Sequence, residues 1–375
     1  MKKQTIFLVL TLFSLFIMGC KNNSIPADEP EVPITDDNAI PAIKNPIGGI
    51  CPSLIIWMTD AQLKKFLDEF ETTGALYVRI DLPWSIIQPD NSTTWNFVDY
   101  DRVFKAIVAR GFKILALPTY CPSWANGGFD DDKYPPVAAH ATDWYNFVKK
   151  CADRYIPIGV DAWEMWNEPN ITGFWRPVCN VANYTNIVLK NGSNAVRASA
   201  SELGKTVTIV SGGLSPAASD GENIHPIDFL IGIYANGGKK YIDAIGHHPY
   251  CFPESPYSTV DYSCFQMTPR IYQIMVINGD GTKKIWGTEF GYHTGNEDIG
   301  GVTLAIQAKY ITDAYTIWSR WSYTGPLCLY DYQDLGTDHA DREQCFGLKK
   351  FDGTNKPGWK AYKTVMASTL LSSGN

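Results

Sequence analysis

The chain has 375 residues, a formal net charge of −7 and 45% hydrophobic residues. An acidic balance without a basic run excludes the electrostatic footprint that nucleic-acid binding needs. Tryptophan and tyrosine are abundant, at 12 and 20 residues, more than a core requires and suited to stacking on the flat apolar faces of a ligand.

At the N-terminus, Lys2 and Lys3 precede an apolar run from Ile6 to Met18 that ends in Gly19-Cys20. A basic start, a short apolar stretch and a small residue before the break make an export signal, too short for a membrane span. A cysteine directly after a small residue resembles a bacterial lipobox, with Ile17 in place of the usual leucine. Residues 1–19 are therefore expected to be a removed lipoprotein signal peptide and Cys20 to carry lipid. Residues 20–44 contain Pro26, Pro30, Pro33 and Pro41 and no helical period, which predicts a flexible linker. The expected location is outside the cell, anchored through lipid to a bacterial membrane, at the outer membrane or cell surface. Eight further cysteines remain. In an exported protein an even number permits disulfides, for example Cys251 with Cys264; the other reading is buried free thiols.

Beyond residue 44 one plan repeats. "TDAQLKKFLDEFETTG" puts Leu63, Phe66, Leu67 and Phe70 on one helical face, Gly74 ends it, and the strand "ALYVRIDLPW" follows. "DYDRVFKAIVARG" repeats the pattern, with Asp99 as a candidate cap, before "FKILALPTY"; "TDWYNFVKKCADRY" does so before "VDAWEMWNEP". Later strands are read at 206–214, 241–250, 283–292 and 325–334, with a first at 47–51; helical candidates lie at 183–203, 225–236, 266–277, 302–321 and 359–371. Strand and helix alternating through eight units predict a closed (β/α)8 TIM barrel over residues 45–375 as one α/β domain. The open doubly wound alternative lacks its glycine-rich phosphate loop.

In such a barrel, function collects where the strands end. Those ends carry Arg79, Asp81 and Trp84; Tyr120 and Trp124; Asn167 and Glu168; His247, His248 and Tyr250; Glu289, Tyr292 and His293; and Tyr330, Asp331 and Tyr332. His247 and His248 are adjacent, and adjacent strand residues point to opposite faces, so they do not make a metal pair. Glu168 and Glu289 stand on strands whose ends can face each other. Two carboxyl groups flanking one bond are what glycoside hydrolysis requires, one to protonate the leaving oxygen and one to attack the anomeric carbon. Glu164, four residues before Glu168 but deeper, reads as a structural acid paired with Arg79 or another buried donor.

These stretches resemble glycoside hydrolases of the retaining (β/α)8 clan A, nearest in motif to families 39 and 5. The resemblance rests on "RIDLPWSIIQP", "LPTYCPSWA", "WEMWNEPN", "HHPY", "WGTEFGY", "LYDYQD" and "FGLKKFDGTNKPGWKAY", which follow one another in the clan's order. It implies Glu168 as acid/base, Glu289 as nucleophile, Asn167 as the holder of the sugar 2-hydroxyl, Tyr250 and Arg79 as partners of the nucleophile, and His248 beside the cleft. It also implies carboxyl groups about 5–5.5 Å apart, a β-linked glycan substrate and no metal or organic cofactor; a monomer is expected. Among the rim aromatics Trp57, Trp84, Trp124, Trp175, Tyr292 and Tyr332, two or three are expected to line sugar subsites, with Tyr330 also at the substrate. Several subsites favour endo action. The alternatives are an exo-acting β-xylosidase-like enzyme, and a non-catalytic glycan-binding lipoprotein on the same scaffold.

Overall fold

The computed structural model describes residues 48–367. The expected signal peptide, Cys20 and the linker lie outside the described residues. Eight parallel strands close into a barrel in chain order: β1 (Gly48–Ile50), β2 (Tyr77–Pro83), β3 (Lys113–Thr119), β4 (Ala162–Asn167), β5 (Thr208–Gly213), β6 (Ala244–His247), β7 (Lys284–Phe290) and β8 (Thr324–Leu329), with β8 pairing back onto β1. The main helices between and after them are α1 (Asp60–Glu71), α2 (Val98–Ala109), α3 (Ala141–Tyr155), α4 (Lys190–Glu202), α5 (Pro226–Ala235), α6 (Thr268–Ile277), α7 (Leu304–Arg320) and α8 (Pro357–Ala367). The eight-unit barrel read from the sequence is the fold observed.

Local chemistry accounts for the helix boundaries. Thr59 opens α1 with a capping box: its hydroxyl accepts from the Gln62 amide while the Gln62 side chain accepts from the Thr59 amide. Leu63, Phe66, Leu67 and Phe70 form the buried face, each contributing about 1.5–3 kcal/mol relative to exposure. Asp99, expected as a cap for α2, instead lies inside its first turn, where its charge meets the helix dipole; the N-cap position is Phe97, without a side-chain bond.

Two cores follow from strand alternation. Outward-facing residues such as Val78, Ile80, Leu82, Trp163 and Met165 pack beneath the helices. Inside the barrel, Cys51, Tyr77, Leu115, Ala162, Val210, Ala244, Trp286 and Cys328 form a separate cluster, one residue at each strand. That apolar plug is the floor on which the polar groups at the strand ends stand. Of the two readings of the cysteines, the free thiols are observed: all eight cysteines of the described residues are unpaired and buried, Cys251 and Cys264 among them. The Cys251 thiol lies 2.8 Å from the Tyr292 hydroxyl instead.

Candidate active site

The polar layer begins at Arg79, two residues above Tyr77 on β2 and therefore on the same inner face. Its guanidinium is 5% exposed and serves three groups. Nε and Nη2 donate to Glu164 at 2.6 and 3.2 Å, Nη2 also donates to Asn167 Oδ1 at 2.8 Å, and Nη1 donates to Glu289 Oε1 at 2.5 Å. Glu164 is fully buried and also accepts from the Gly213 amide and the Thr288 hydroxyl. It is the internal counter-ion of the site, and its charge is matched rather than stranded.

Strict alternation would turn every second β4 residue inward, making Trp166 the next after Glu164. Trp166 instead takes φ 72°, a left-handed conformation uncommon for a bulky residue. Its ring joins the outer core against Trp144 and Trp175, and its indole N–H donates to the Phe174 carbonyl. The reversal leaves Asn167 facing Arg79, and a second left-handed residue, Glu168 at φ 41°, brings the next carboxyl inward as well. Each such conformation costs on the order of 1–3 kcal/mol and persists only where the surroundings over-determine it. Gly212 is part of those surroundings: a Cβ there would lie 2.7 Å from the Trp166 carbonyl oxygen.

On β7 an irregularity does similar work. Between Gly287 and Phe290 this strand advances three residues while β8 advances two. The extra residue lets consecutive side chains, Thr288 and Glu289, both reach inward, one to Glu164 and the other to Arg79. Glu289 Oε2 accepts from the Tyr250 hydroxyl at 3.0 Å. On β6, His247 turns outward to the Cys264 carbonyl at 3.0 Å, while the next residue, His248, points in, with Nδ1 2.7 Å from Glu168 Oε1 and 3.6 Å from Glu289 Oε2.

Glu168, His248 and Glu289 thus present ligand atoms all within 4.8 Å of one another. Burial pushes the Glu289 carboxyl up, but the charges of His248 and Arg79 and the hydrogen bonds from Tyr250 and Arg79 outweigh it and hold the carboxyl below its ordinary value. Burial lowers His248, yet Glu289 and the hydrogen bond to Glu168 leave it raised. Desolvation takes the Tyr250 phenol well above its usual value, so it stays a donor. The same three ligand atoms could in geometry receive a metal ion. However, Glu289 is already saturated by a guanidinium, whose charge a cation would have to face at close range.

Among the expected aromatics the structure separates rim from core. Trp124 is half-buried, its indole N–H donating to the Gln88 carbonyl, and Trp57 is 62% exposed after β1. Tyr330 is half-buried with its hydroxyl 3.3 Å from Glu343. Trp175 and Tyr292, expected at the substrate, are each only 1% exposed, and Trp84 and Tyr332 are buried as well. Trp175 packs between Trp166 and Tyr184, and the Tyr292 hydroxyl donates to the Glu254 carbonyl. Their strand-end positions marked them as rim residues. The β4 and β7 irregularities and the loops covering the rim turn them into supports.

Sequence reasoning did not single out Glu343, a residue of the loop after β8. Its carboxyl is raised by burial and feels the charges of Glu289 and Glu168. No motif marks it; only the path of the loop brings it near.

No family model matches the sequence, and no curated protein does. Solved structures do. A family 39 glycoside hydrolase from the gut symbiont Bacteroides cellulosilyticus WH2 superposes with a TM-score of 0.67 at 23% identity, over 87% of this chain and 64% of that one. The present chain thus spans less than two thirds of that enzyme. The chain has the barrel of the family 39 glycoside hydrolases. A monomeric β-xylosidase from Caulobacter crescentus CB15 gives a TM-score of 0.63 at 16% identity, over 87% of this chain and 70% of that one. A fungal β-1,4-galactanase gives 0.59 at 15% identity, over 84% of this chain and 98% of that one.

Proposed function

We propose that the chain is a retaining β-glycoside hydrolase in which Glu289 is the nucleophile and Glu168 the acid/base. The observation that carries this is the pair of carboxyl groups whose oxygens approach within 4.8 Å. That spacing suits direct attack on the sugar; inverting enzymes separate theirs by about 6.5–9.5 Å to admit a water. Glu289 is held ionised by Arg79 and Tyr250, as a nucleophile must be. Its carboxylate oxygen bonds to the anomeric carbon as the glycosidic C–O bond breaks, and Glu168 delivers its proton to the departing oxygen. Glu168 then removes a proton from water, whose oxygen displaces Glu289 with a second inversion. The Asn167 side-chain oxygen is held by Arg79, which leaves the amide N–H groups to donate to a sugar hydroxyl beside the reacting carbon.

Endo action on a β-linked polysaccharide or oligosaccharide is the finer reading. Exposed rings on loops beyond the strand ends support it: Trp57, Phe129, Tyr257 and Tyr262 are 62, 48, 54 and 57% exposed, and a chain of sugars can stack on such rings. We also infer export and anchoring through lipid on Cys20, supported by the Lys2-Lys3 start and the Gly19-Cys20 junction. In the native host, Cys20→Ser should move the protein from the membrane fraction to the soluble one.

The enzyme reading is tested on aryl β-glycosides and on β-glucans, xylans and mannans. Glu289→Ala should abolish turnover, and Glu168→Gln should lose about 10²–10⁴-fold in kcat/KM on poor leaving groups while sparing kcat/KM on activated ones, whose kcat falls because the second step lacks its base. Early products longer than two sugars mark endo action; monosaccharide release alone marks exo action. A wild type that binds glycans and hydrolyses none would leave the scaffold as a binding protein.

A further inference from the structure

Asp81 is a polar residue of the cleft that the mechanism above does not use. It stands two residues after Arg79 on β2, so its side chain rises from the same inner face, while Ile80 and Leu82 pack outward into the helical core. It is half-buried, unlike its outward neighbours Ile80 at 3% and Leu82 at 0% exposure. Arg79, Glu289, Glu164 and His248 are the charges that act on it, which places it within the same cluster. Every other acid of that cluster has a partner: Glu164 has Arg79, Gly213 and Thr288, Glu289 has Arg79 and Tyr250, and Glu168 has His248. The Asp81 carboxyl accepts no hydrogen bond and makes no ion pair among the described residues.

A second unsatisfied group stands beside it. Tyr120, at the end of β3, is held at φ 53° with its ring edge-on to Trp166. Its phenol oxygen has no hydrogen-bond partner among the described residues, and Asp81 and Glu289 both act on it. In an eight-stranded barrel, strands four apart face each other. Asp81 and Tyr120, on β2 and β3, therefore look across the cleft toward Tyr250 and Glu289, on β6 and β7. An acceptor and a donor left open on the wall opposite the nucleophile are arranged for a polar ligand lying between the walls.

Resting on the glycosidase reading, we propose that Asp81 and Tyr120 bind hydroxyl groups of the sugar seated on Glu289 and restrict that sugar to a neutral one. Neutrality follows from the charges. The cations of this layer are already committed: Arg79 is shared by Glu164 and Glu289, His248 by Glu168 and Glu289, and Lys133, over the Tyr120 ring, by Asp131 and Asp132, so a uronyl carboxylate would meet Asp81 with no uncommitted cation to offset it. The two residues position substrate and do not enter bond making.

The test uses the full chain and the aryl β-glycoside that wild type hydrolyses fastest, with Asp81→Ala, Asp81→Asn and Tyr120→Phe. A 2-deoxy-2-fluoro aryl glycoside of the same sugar traps the nucleophile and reports the glycosidase reading separately. If wild type neither turns over nor is labelled at Glu289, the glycosidase reading fails and the proposal goes with it. With wild type active, Asp81→Ala should lose about 10²-fold in kcat/KM and Tyr120→Phe about 10-fold, as expected for open hydrogen bonds to substrate. On the substrate deoxygenated at the position Asp81 grips, the Asp81→Ala penalty should shrink to under about threefold, because the partner is gone from both. The Asp81→Asn melting temperature should match or exceed that of wild type. An Asp81→Ala loss of under about threefold on the full substrate, a penalty equal on every deoxy substrate, or an Asp81→Asn protein that melts several degrees lower would each overturn the proposal. So would faster hydrolysis of the aryl β-glucuronide than of the aryl β-glucoside.

Discussion

At the scale of single residues, the site is organised by one guanidinium. Arg79 meets Glu164 with two nitrogens, Asn167 with one of these and Glu289 with the third. A planar fork can satisfy three directions at once; an ammonium, as a point charge on a flexible stem, cannot. Arg79→Lys keeps the charge but loses the geometry, so kcat should fall about 10²–10³-fold with KM changed far less. A loss confined to KM would show that Arg79 serves binding rather than the ionised state of Glu289. Glu164→Gln addresses the other side of the pair. It leaves the guanidinium buried with Glu289 as its remaining charge partner, and should destabilise the fold by about 3–5 kcal/mol, read by denaturant unfolding.

At the scale of elements, two strands depart from ideal alternation, and both departures carry the carboxyl groups. The β4 reversal is braced from outside the barrel. Tyr184 opens a π-helical segment, Tyr184–Leu189, and its hydroxyl donates to the Met165 carbonyl at 3.0 Å while accepting from the Gly212 amide at 2.7 Å. Trp175 stacks edge-on between Tyr184 and Trp166. Tyr184→Phe keeps the ring and removes both bonds, leaving buried backbone groups unpaired at a cost of about 1–3 kcal/mol. Because those groups flank the residues that turn Asn167 and Glu168 inward, kcat should drop as well, while Trp175→Phe should lower stability without raising KM. A rise in KM for Trp175→Phe would restore it to the substrate surface. This marks the boundary of what the sequence made legible. Helix–glycine–strand repeats announced the barrel, because periodicity is a local property. Glu164 and Arg79 could be paired from burial and charge alone. The left-handed turns at Trp166 and Glu168 could not be read, because their support comes from Tyr184, Trp175 and Gly212, which lie downstream in the chain. For the same reason Trp175 and Tyr292 looked like rim residues and are core.

At the scale of the whole molecule, buried titratable groups of opposite sense compete. Burial pushes Asp81 up to about 6 and Asp331 up to about 7. Unfolded aspartates titrate near about 3.9, so between these values the folded chain binds the extra proton and each group loses stability as pH rises. His248, raised overall, acts in the same direction: its contribution is complete below the unfolded histidine value of about 6.5 and is lost as pH rises through its folded value. His247 and His293 are depressed by burial to about 4. Their unfolded forms take up the proton first, so they lose stability as pH falls from about 6.5 toward 4. Glu289, held low, loses its contribution only below the ordinary glutamate range, as pH falls through its folded value. From about pH 5 to 6.5 the two aspartates and the two depressed histidines offset each other, at roughly 3–4 kcal/mol for each pair. Wild type should therefore show a stability plateau across that window rather than a sharp optimum. Asp331→Asn tests the balance. Asparagine keeps the side-chain oxygen that accepts from the Ser53 and Tyr332 amides but removes the proton that favours acid. The variant should become more stable by about 2–3 kcal/mol on going from pH 5 to 7.5, relative to wild type over the same range, as measured by calorimetry. Parallel profiles for variant and wild type would mean that Asp331 does not titrate in this window. The plateau would then need another origin.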